Sequence, residues 1–287
     1  MSNTFSKLSC LAIVLLQLCI PNASATSPLD TDEENLEKLS AHYTTQTSKA
    51  ELTDALDLAA VKHHPLSFSW LVQQGADCDA LSSRGATALI AAAASLPKGK
   101  DVAEDERIAR EFPGAEIVPW KGQEKIDQAS AAVFRMAIEC SKNLNTQIKG
   151  EFGAIHYAAQ RKRMDAVIQL VKAGANINLG QNLGHTILMD ADVRDLPLLV
   201  KHGADINAKD VKGRTILHQA FANMMPLKKL KNYVSIALSL GAKDSADAHG
   251  KFASELGGPM LGLSNETIES ELSQLDALRK ALKDSRQ

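Results

Sequence analysis

The chain has 287 residues, of which 45% are hydrophobic but only 4% aromatic. Its core must therefore be built from Ala, Leu, Ile and Val, and the length allows one large domain or two ordinary ones. A formal net charge of −2 provides no basic field for a phosphate backbone, so we expect no nucleic-acid binding.

The first 25 residues have the pattern of a secretory signal. Lys7 precedes the apolar run "LSCLAIVLLQLCI" at 8–20, Pro21 ends that run, and "ASA" at 23–25 offers a cleavage site. We predict a signal peptide over 1–25, and an uncleaved anchor is the alternative. The mature protein is then expected to be periplasmic or secreted, without membrane attachment. A flanking segment over 26–52 follows, with a helix predicted within 29–43.

Two short phrases recur through the rest of the chain. The first is "GADCD" at 75–79, "GANIN" at 174–178 and "GADIN" at 203–207. The second is Gly-x-Thr, and its threonine stands twelve residues after the glycine that opens the first phrase. A fourth opening glycine is Gly241, and Gly153 stands where the threonine should be in a further copy that opens at Ser141. The spacing predicts a repeat with one long interruption.

Each phrase lies next to a helical pattern. Segments 55–77 and 154–176 both read as helix, turn, helix and sharp stop, with apolar residues on one face of each helix. The glycine at the end of each pattern supplies a left-handed residue that ends a helix.

These phrases resemble the ankyrin repeat, a unit of two antiparallel helices and a β-turn finger. The resemblance implies an all-α solenoid over 53–256, with about five to six helix-turn-helix layers. We call each helix pair a layer, and the segment between successive layers a finger. In that family threonine and histidine fix the finger to the helix. The matching joint positions here are Gly75, Thr87, His156, Gly174, Thr186, Gly203, Thr215, His218 and Gly241.

Three layers depart from the regular length. Layer two carries an insertion over 96–127, which includes Trp120 and a short helical pattern at 101–112. The insertion is either a tolerated loop or a partner contact. Layer four is short between Met189 and Gly203, so we expect clipped helices. In layer five, "MMPLKKLKN" at 224–232 is predicted to form an enlarged connection. A sixth half-layer is expected near 249–256.

The C-terminal segment 257–287 is predicted to be a capping helix with Ser264 as its N-cap. Its apolar stripe is Ile268, Leu272, Leu275 and Leu282. The stripe is expected to cover the end of the stack, and docking of a partner is the alternative.

The sequence contains no recognisable enzyme signature, so we predict no catalytic residue, no metal site and no cofactor. His63 and His64 are adjacent. Because neighbouring residues on a helix point apart, we do not expect this pair to bind a metal ion. Cys78 and Cys140 remain after signal removal. Both fit buried small hydrophobes, and a disulfide between adjacent layers is the sharper alternative. "NET" at 265–267 is a glycosylation sequon only if the source glycosylates.

The resemblance implies an exported, monomeric protein that binds another protein through its finger tips and the concave face of its first helices. An immunity protein that neutralises a toxin is one expectation. An effector acting on host proteins and a factor in oxidative-stress protection are the alternatives, and an enzyme centred on the insertion is a further class. The predicted partner contacts are Leu81, Arg84, Trp120, Lys149, Gln181, Asn182, Lys209, Asp210 and Lys212.

Overall fold

Helices account for most of the residues that the structure describes, and turns separate them. A computed structural model describes residues 32–43, 47–99, 123–149, 151–222, 226–256 and 265–286. It divides the chain into two units, residues 1–44 and 45–287. The predicted signal peptide lies outside the described residues.

In the first unit, helix α1 covers Asp32–His42. Asp32, Glu33 and Glu34 lie in its first turn, where carboxylates interact favourably with the helix dipole.

The described part of the second unit contains ten further α-helices, one 3₁₀ turn and one pair of very short strands. The helices are α2 (Lys49–Val61), α3 (Pro65–Gln73), α4 (Ala88–Ser95), α5 (Gln123–Cys140), α6 (Ala154–Gln160), α7 (Met164–Lys172), α8 (Leu196–Lys201), α9 (Ile216–Ala222), α10 (Leu227–Ser239) and α11 (Asn265–Asp284). Strand β1 (Gln147–Ile148) pairs antiparallel with β2 (Phe152–Gly153), and the 3₁₀ turn is Ala253–Glu255. None of the helices in the described ranges is long and apolar enough to cross a membrane.

The first helix pair begins earlier than the repeat pattern predicts. Helix α2 begins at Lys49 and not near 53, because Ser48 and Glu51 form a capping box. The Ser48 hydroxyl accepts from the Glu51 N–H at 3.2 Å, and a Glu51 carboxylate oxygen accepts from the Ser48 N–H at 2.9 Å. This box satisfies two N–H groups that a helix start leaves open.

Short side chains allow the first helices to pack closely. Helix α4 packs against both α2 and α6. Its Ala91, Ala92 and Ala93 are all buried. Because alanine projects only one methyl group, two neighbouring helices can approach α4 from opposite sides. The many alanines and few aromatic residues of the chain therefore allow adjacent helix pairs to pack closely.

In layer two the helix after the insertion is longer than predicted. Helix α5 begins at Gln123, so residues 123–127 of the predicted insertion are helical. Val133, Phe134 and Ala137 are buried, and α5 packs against α3 and α4. The helical pattern at 101–112 and Trp120 lie outside the described residues.

Layer four has lost its first helix. Ile187–Asp190 form only a turn, and the second helix, α8, has six residues. The few residues between Met189 and Gly203 leave no room for two full helices. Layer four is thus the thinnest part of the described second unit.

In layer five the enlarged connection predicted over 224–232 is wrong from Leu227 onward. Helix α10 begins directly after Pro226. Proline is tolerated at a helix start, where the N–H that it lacks has no partner in the helix. Leu227, Leu230 and Val234 bury one face of α10 and hold it as a helix.

The C-terminal helix packs against α10 and the 3₁₀ turn. Leu275 and Leu282 of its predicted stripe are buried, whereas Leu272 is 43% exposed. Ser264 and the side chain of Ile268 lie outside the described residues. The 3₁₀ turn, which packs against α9, occupies the place of the expected sixth half-layer.

Candidate partner-binding surface

Four of the fingers end in the same tight turn. These tip turns are Ser82–Gly85, Gln181–Gly184, Asp210–Gly213 and Asp247–Gly250. In each one the glycine N–H donates to the carbonyl of the first residue, at 2.8, 2.7, 2.9 and 3.1 Å respectively. Gly213 has a φ of +72°, and a Cβ there would lie 2.8 Å from the Ala248 nitrogen of the next finger. Glycine is therefore required both by the turn and by the close approach of adjacent fingers.

A second set of glycines redirects the chain from helix to finger. Gly75, Gly174, Gly203 and Gly241 have φ values of 92, 104, 96 and 89°. After three of them, an Asp or Asn side chain accepts the N–H two residues further on. These bonds are Asp79 N–H to Asp77, Asn178 N–H to Asn176 and Asn207 N–H to Asp205. The first phrase of the repeat is thus a helix stop followed by a side-chain-stabilised turn.

Asparagines at the end of these phrases tie successive fingers together. Asn145 Oδ1 accepts from the Asn176 N–H at 2.8 Å. Asn178 accepts from the Asp205 N–H at 2.8 Å and donates to the Gly203 carbonyl at 3.0 Å. Asn207 does the same with Lys243 N–H and Gly241 O, at 2.7 and 3.0 Å. We call Asn145, Asn178 and Asn207 the asparagine ladder. Sequence analysis did not identify it, although the final Asn of "GANIN" and "GADIN" was its signal.

The junction between layers one and two is held by different interactions. The Asp79 carboxylate accepts from the N–H groups of Lys142 and Asn143, at distances of 2.9 to 3.2 Å. Beside it Cys78 and Cys140 form a disulfide with a Cα–Cα distance of 5.9 Å. The interpretation of both cysteines as unpaired small hydrophobes is therefore wrong. Their places at the base of one finger and just before the next bring them together on adjacent layers.

The joint histidines span from one finger to the next. His156 Nδ1 accepts from the Gly153 N–H at 3.1 Å, so its Nε2 carries the proton and donates to the Leu179 carbonyl at 2.9 Å. His218 repeats this arrangement with the Thr215 N–H and the Lys251 carbonyl, both at 3.1 Å. Burial lowers the pKa of His156 below its ordinary value. Both rings are buried connectors with both nitrogens engaged.

The three joint threonines differ in what they bond. Thr87 caps α4 by accepting the Ile90 N–H at 3.3 Å, and Thr215 Oγ1 lies 3.0 Å from His218 Nδ1. Thr186 Oγ1 is buried and has no hydrogen-bond partner within the described part of the chain. No helix follows Thr186, and Met189 occupies the histidine position of its layer. The capping bond expected there is therefore lost.

Layer one replaces the histidine joint with an ion pair. Asp57 stands at the histidine position, is buried, and pairs with the Arg84 guanidinium of the next finger. Burial raises the pKa of Asp57, while the charge and hydrogen bonds of Arg84 act in the opposite direction. The Ser83 N–H donates to Asp54 at 2.6 Å. Arg84, predicted to contact a partner, therefore holds its own finger in place.

Asp210 also differs from its predicted role as a partner contact. Its side chain is fully buried. It accepts from the Lys212 and Arg214 N–H groups at 2.9 and 2.8 Å and from Arg214 Nε at 2.7 Å. The first position of the tip turn faces inward, so the Asp210 carboxylate stabilises the turn and is not available to a partner.

The remaining predicted contacts lie at or beside the fingers. Leu81, Lys149, Asn182, Lys209 and Lys212 are exposed, Gln181 is half-buried, and Trp120 lies outside the described residues. Lys209 Nζ donates to the Ala246 carbonyl of the next finger at 3.1 Å.

Two exposed apolar residues at the tips were missed by sequence analysis. Leu183 is 53% exposed and Val211 is 64% exposed. They occupy central positions of neighbouring tip turns, and the Val211 N–H donates to the Leu183 carbonyl at 3.0 Å. The turn spacing marked both tips, but the predicted contacts there were the neighbouring polar residues.

Residues 152–182 match the family model described as the ankyrin repeat. The chain contains an ankyrin repeat. The matched range begins at β2, includes α6 and α7, and ends in the next tip turn. Ankyrin repeats are protein–protein interaction modules and are generally not catalytic. No curated protein matches the chain.

The matched range also shows what an ankyrin repeat does with its polar residues here. His156, Asn176 and Asn178 all bond backbone groups within or between fingers. Within the described ranges, no three His, Cys, Asp or Glu side chains are grouped so as to hold a metal ion. The geometry of the repeat suits the presentation of a surface, since its polar side chains fix the backbone and leave the tips exposed.

Proposed function

We propose that the chain is an exported, non-catalytic ankyrin solenoid of five to six layers. It binds a protein partner through its finger tips and through the exposed side of its first helices. The observation that carries this proposal is the row of exposed tip residues, Lys149, Asn182, Leu183, Val211 and Lys212, on turns whose backbones are held by hydrogen bonds. Because the backbone of such turns is already ordered, binding does not have to order it.

The first helices add a second set of exposed residues. Leu58 of α2 is 46% exposed and Gln160 of α6 is exposed. Neither of them belongs to the buried core. In this proposal they extend the contact from the finger tips along the first helices.

The disulfide supports the export part of the proposal. Disulfides persist in oxidising compartments and are rare in reducing ones. The Cys78–Cys140 bridge therefore agrees with the signal pattern at 1–25, although the two observations are independent. The proposed location is the periplasm or the exterior of the cell.

Photo-crosslinking tests the binding surface. A photoreactive residue replaces Asn182 in the full-length chain, which keeps the predicted signal at 1–25, and the matched control replaces Gln169, which is exposed on the second helix of the same repeat. The chain is expressed in its own host and activated in living cells. The position-182 probe is expected to give a discrete protein adduct, which the position-169 probe does not give. Equal adducts at both positions, or none at any finger tip, would contradict the proposal.

The more specific part of the proposal is that the partner is a toxin which the protein neutralises. A stable, exported and non-catalytic binder suits that role. Expression of the chain should then protect cells from the protein identified in the adduct, while a variant with altered tips should not. An adduct with a protein of another cell favours an effector. Loss of oxidant resistance without the gene, in the absence of any toxin, favours the stress-protection role.

A further inference from the structure

We infer that the tips of the fingers leading into layers three, four and five bind an acidic segment with aliphatic side chains on the partner protein. The contact consists of Leu183, Val211, Lys149 and Lys212, which we call the cationic-apolar tip. This inference rests on the proposed function and specifies the chemistry of the partner at one part of the surface.

The apolar half of the tip has no role in the fold. Leu183 and Val211 lie on tip turns joined by a backbone hydrogen bond, yet more than half of each side chain is exposed. The structurally equivalent position to Val211 is Ser83 in the finger that follows layer one and Asn182 in the finger that leads into layer four. The turn therefore accepts polar residues there, and the aliphatic side chains are not required by packing. Paired aliphatic groups on rigid backbone favour an aliphatic partner surface.

The charged half of the tip is cationic. Lys149 is exposed on the finger that precedes the apolar pair, and Lys212 is exposed beside Val211 on the same tip turn. Lys209 lies beside them, with its amine on the Ala246 carbonyl. The whole chain carries a formal charge of −2, so this local excess of amines is opposite in sign to the protein as a whole.

The carboxylates nearest the tip are mostly engaged by the backbone. Asp210 is buried against Arg214, with His185 Nε2 also 3.2 Å away. Asp247 accepts from the N–H groups of His249 and Lys251 at 2.8 and 2.9 Å. Glu151 is the exposed carboxylate of the β1–β2 finger. The two amines thus face outward with one exposed acid near them, which favours carboxylates on the partner.

Binding of defined peptides to the chain lacking residues 1–25 tests this inference. The probe is a soluble fluorescent peptide of alternating leucine and glutamate. Its matched controls alternate leucine with lysine, and serine with glutamate. Fluorescence anisotropy reports affinity at low and moderate salt. The Leu-Glu peptide is expected to bind at least about tenfold more tightly than either control, and its affinity should fall as salt rises.

Two double variants locate the contact. Leu183→Ser with Val211→Ser removes the apolar pair, and Lys149→Glu with Lys212→Glu reverses the charge. Each should weaken Leu-Glu binding at least about tenfold, and the charge variant should also lose the salt dependence. Leu198→Ser and Lys229→Glu are matched controls at exposed positions on α8 and α10. They should bind like the parent chain.

Two results would overturn the inference. One is equal binding of the Leu-Glu and Leu-Lys peptides, and the other is a tip variant that binds as well as its control. A partner adduct at position 182 together with either result would leave the proposed function standing and remove only the stated chemistry. Absence of any adduct would remove both. Thermal unfolding of each variant ensures that lost binding is not lost folding.

Discussion

Two regions of the protein differ in how strongly they are stabilised. The junction between layers one and two is held strongly, whereas layer four is held weakly. At the first junction the bonded groups are far apart in sequence: Asp79 and Lys142 are 63 residues apart, whereas Asn178 and Asp205 are 27 residues apart. Closing the longer loop costs only about 1 kcal/mol more, because closure entropy grows with the logarithm of length. A disulfide across a loop of this size contributes about 4 kcal/mol. The bridge therefore more than offsets the insertion.

Layer four has no comparable reserve. It has a turn in place of its first helix, a six-residue second helix, and a buried Thr186 hydroxyl without a partner in the described part of the chain. In the ankyrin solenoid that we propose, stability depends on each unit and its neighbours. We infer from these two regions that the fold accommodates an insertion more easily than a deletion. Opening of the oxidised protein should begin at layer four.

Removal of the disulfide gives the largest expected effect. Cys78→Ser with Cys140→Ser should lower the free energy of unfolding by about 4 kcal/mol, because the unfolded chain regains the freedom of a long loop. Denaturant unfolding with and without reductant measures the change. The parent chain should lose stability on reduction, and the double variant should not respond to reductant.

Amide hydrogen exchange shows where that stability is lost. Before reduction the fastest protected amides should lie in layer four, and after reduction those of α3 and α5 should speed up most. Unchanged exchange in α3 and α5 would mean that the helix contacts alone hold the first junction, and that the estimate for the disulfide is too large.

The second effect comes from the ion pair that replaces histidine in layer one. Arg84→Ala leaves Asp57 buried without its cation and should cost about 1–3 kcal/mol near neutral pH. Burial already raises the pKa of Asp57. A raised folded-state pKa means that stability is lost as pH rises through it, so the variant should recover part of its loss on acidification.

Unfolding of Arg84→Ala and Arg84→Lys near pH 7 and about pH 4 tests this expectation. The lysine variant keeps the charge and should lose less at neutral pH. If the alanine variant loses further stability relative to the parent on acidification, Asp57 is not the group responsible.

Much of the fold was accessible from the sequence because its signals are local. Gly174 and Gly203 mark helix ends since their left-handed backbone favours glycine, and the spacing to Thr186 and Thr215 fixed the repeat register. The insertion and the short layer four were visible as changes in that spacing. The start of α10 was misplaced because Pro226 was interpreted as a residue within a connection, although proline also fits a helix start.

The site was less accessible because its determinants act between layers. The Cys78–Cys140 bridge depends on a distance between residues 62 positions apart, which spacing alone does not provide. Asp210 and Lys212 are close neighbours in sequence, yet one is buried and the other exposed, because the first position of the tip turn faces inward and the central positions face outward. Leu183 and Val211 were overlooked since apolar residues are usually assigned to the core.

The third effect is the loss of stability when a bond of the asparagine ladder is removed. We compare it with the loss when the corresponding bonds of the first junction are removed. Asn178→Ala removes two inter-finger hydrogen bonds and should cost about 1–2 kcal/mol. Asp79→Ala removes the corresponding bonds of the first junction, but the disulfide still holds that junction, so its cost should be smaller in the oxidised protein. Denaturant unfolding of both variants under oxidising conditions measures the difference.

A double-mutant cycle gives the sharper form of this test. In the background lacking both cysteines, Asp79→Ala should cost more than in the oxidised parent, since no other fastening remains at the junction. Asn178→Ala should cost the same in both backgrounds. Additive effects at Asp79 would show that the carboxylate and the disulfide act independently.

The smallest effect is a pH dependence that belongs to the joint histidine His156 and not to the first junction. Burial lowers the pKa of His156, and its two nitrogens are bonded to Gly153 and Leu179 in the neutral state. At pH values well above about 6.5 the ring is neutral in both the folded and unfolded chain, so stability does not depend on its titration. Below that pH the unfolded chain binds a proton that the folded ring resists, and stability falls until the folded pKa is reached.

His156→Leu should be less stable than the parent at neutral pH, yet should show a flatter decline between neutral and mildly acidic pH. His249→Gln is the control at an exposed tip residue and should keep the parent slope. A decline equally steep in His156→Leu would assign the pH dependence to other groups.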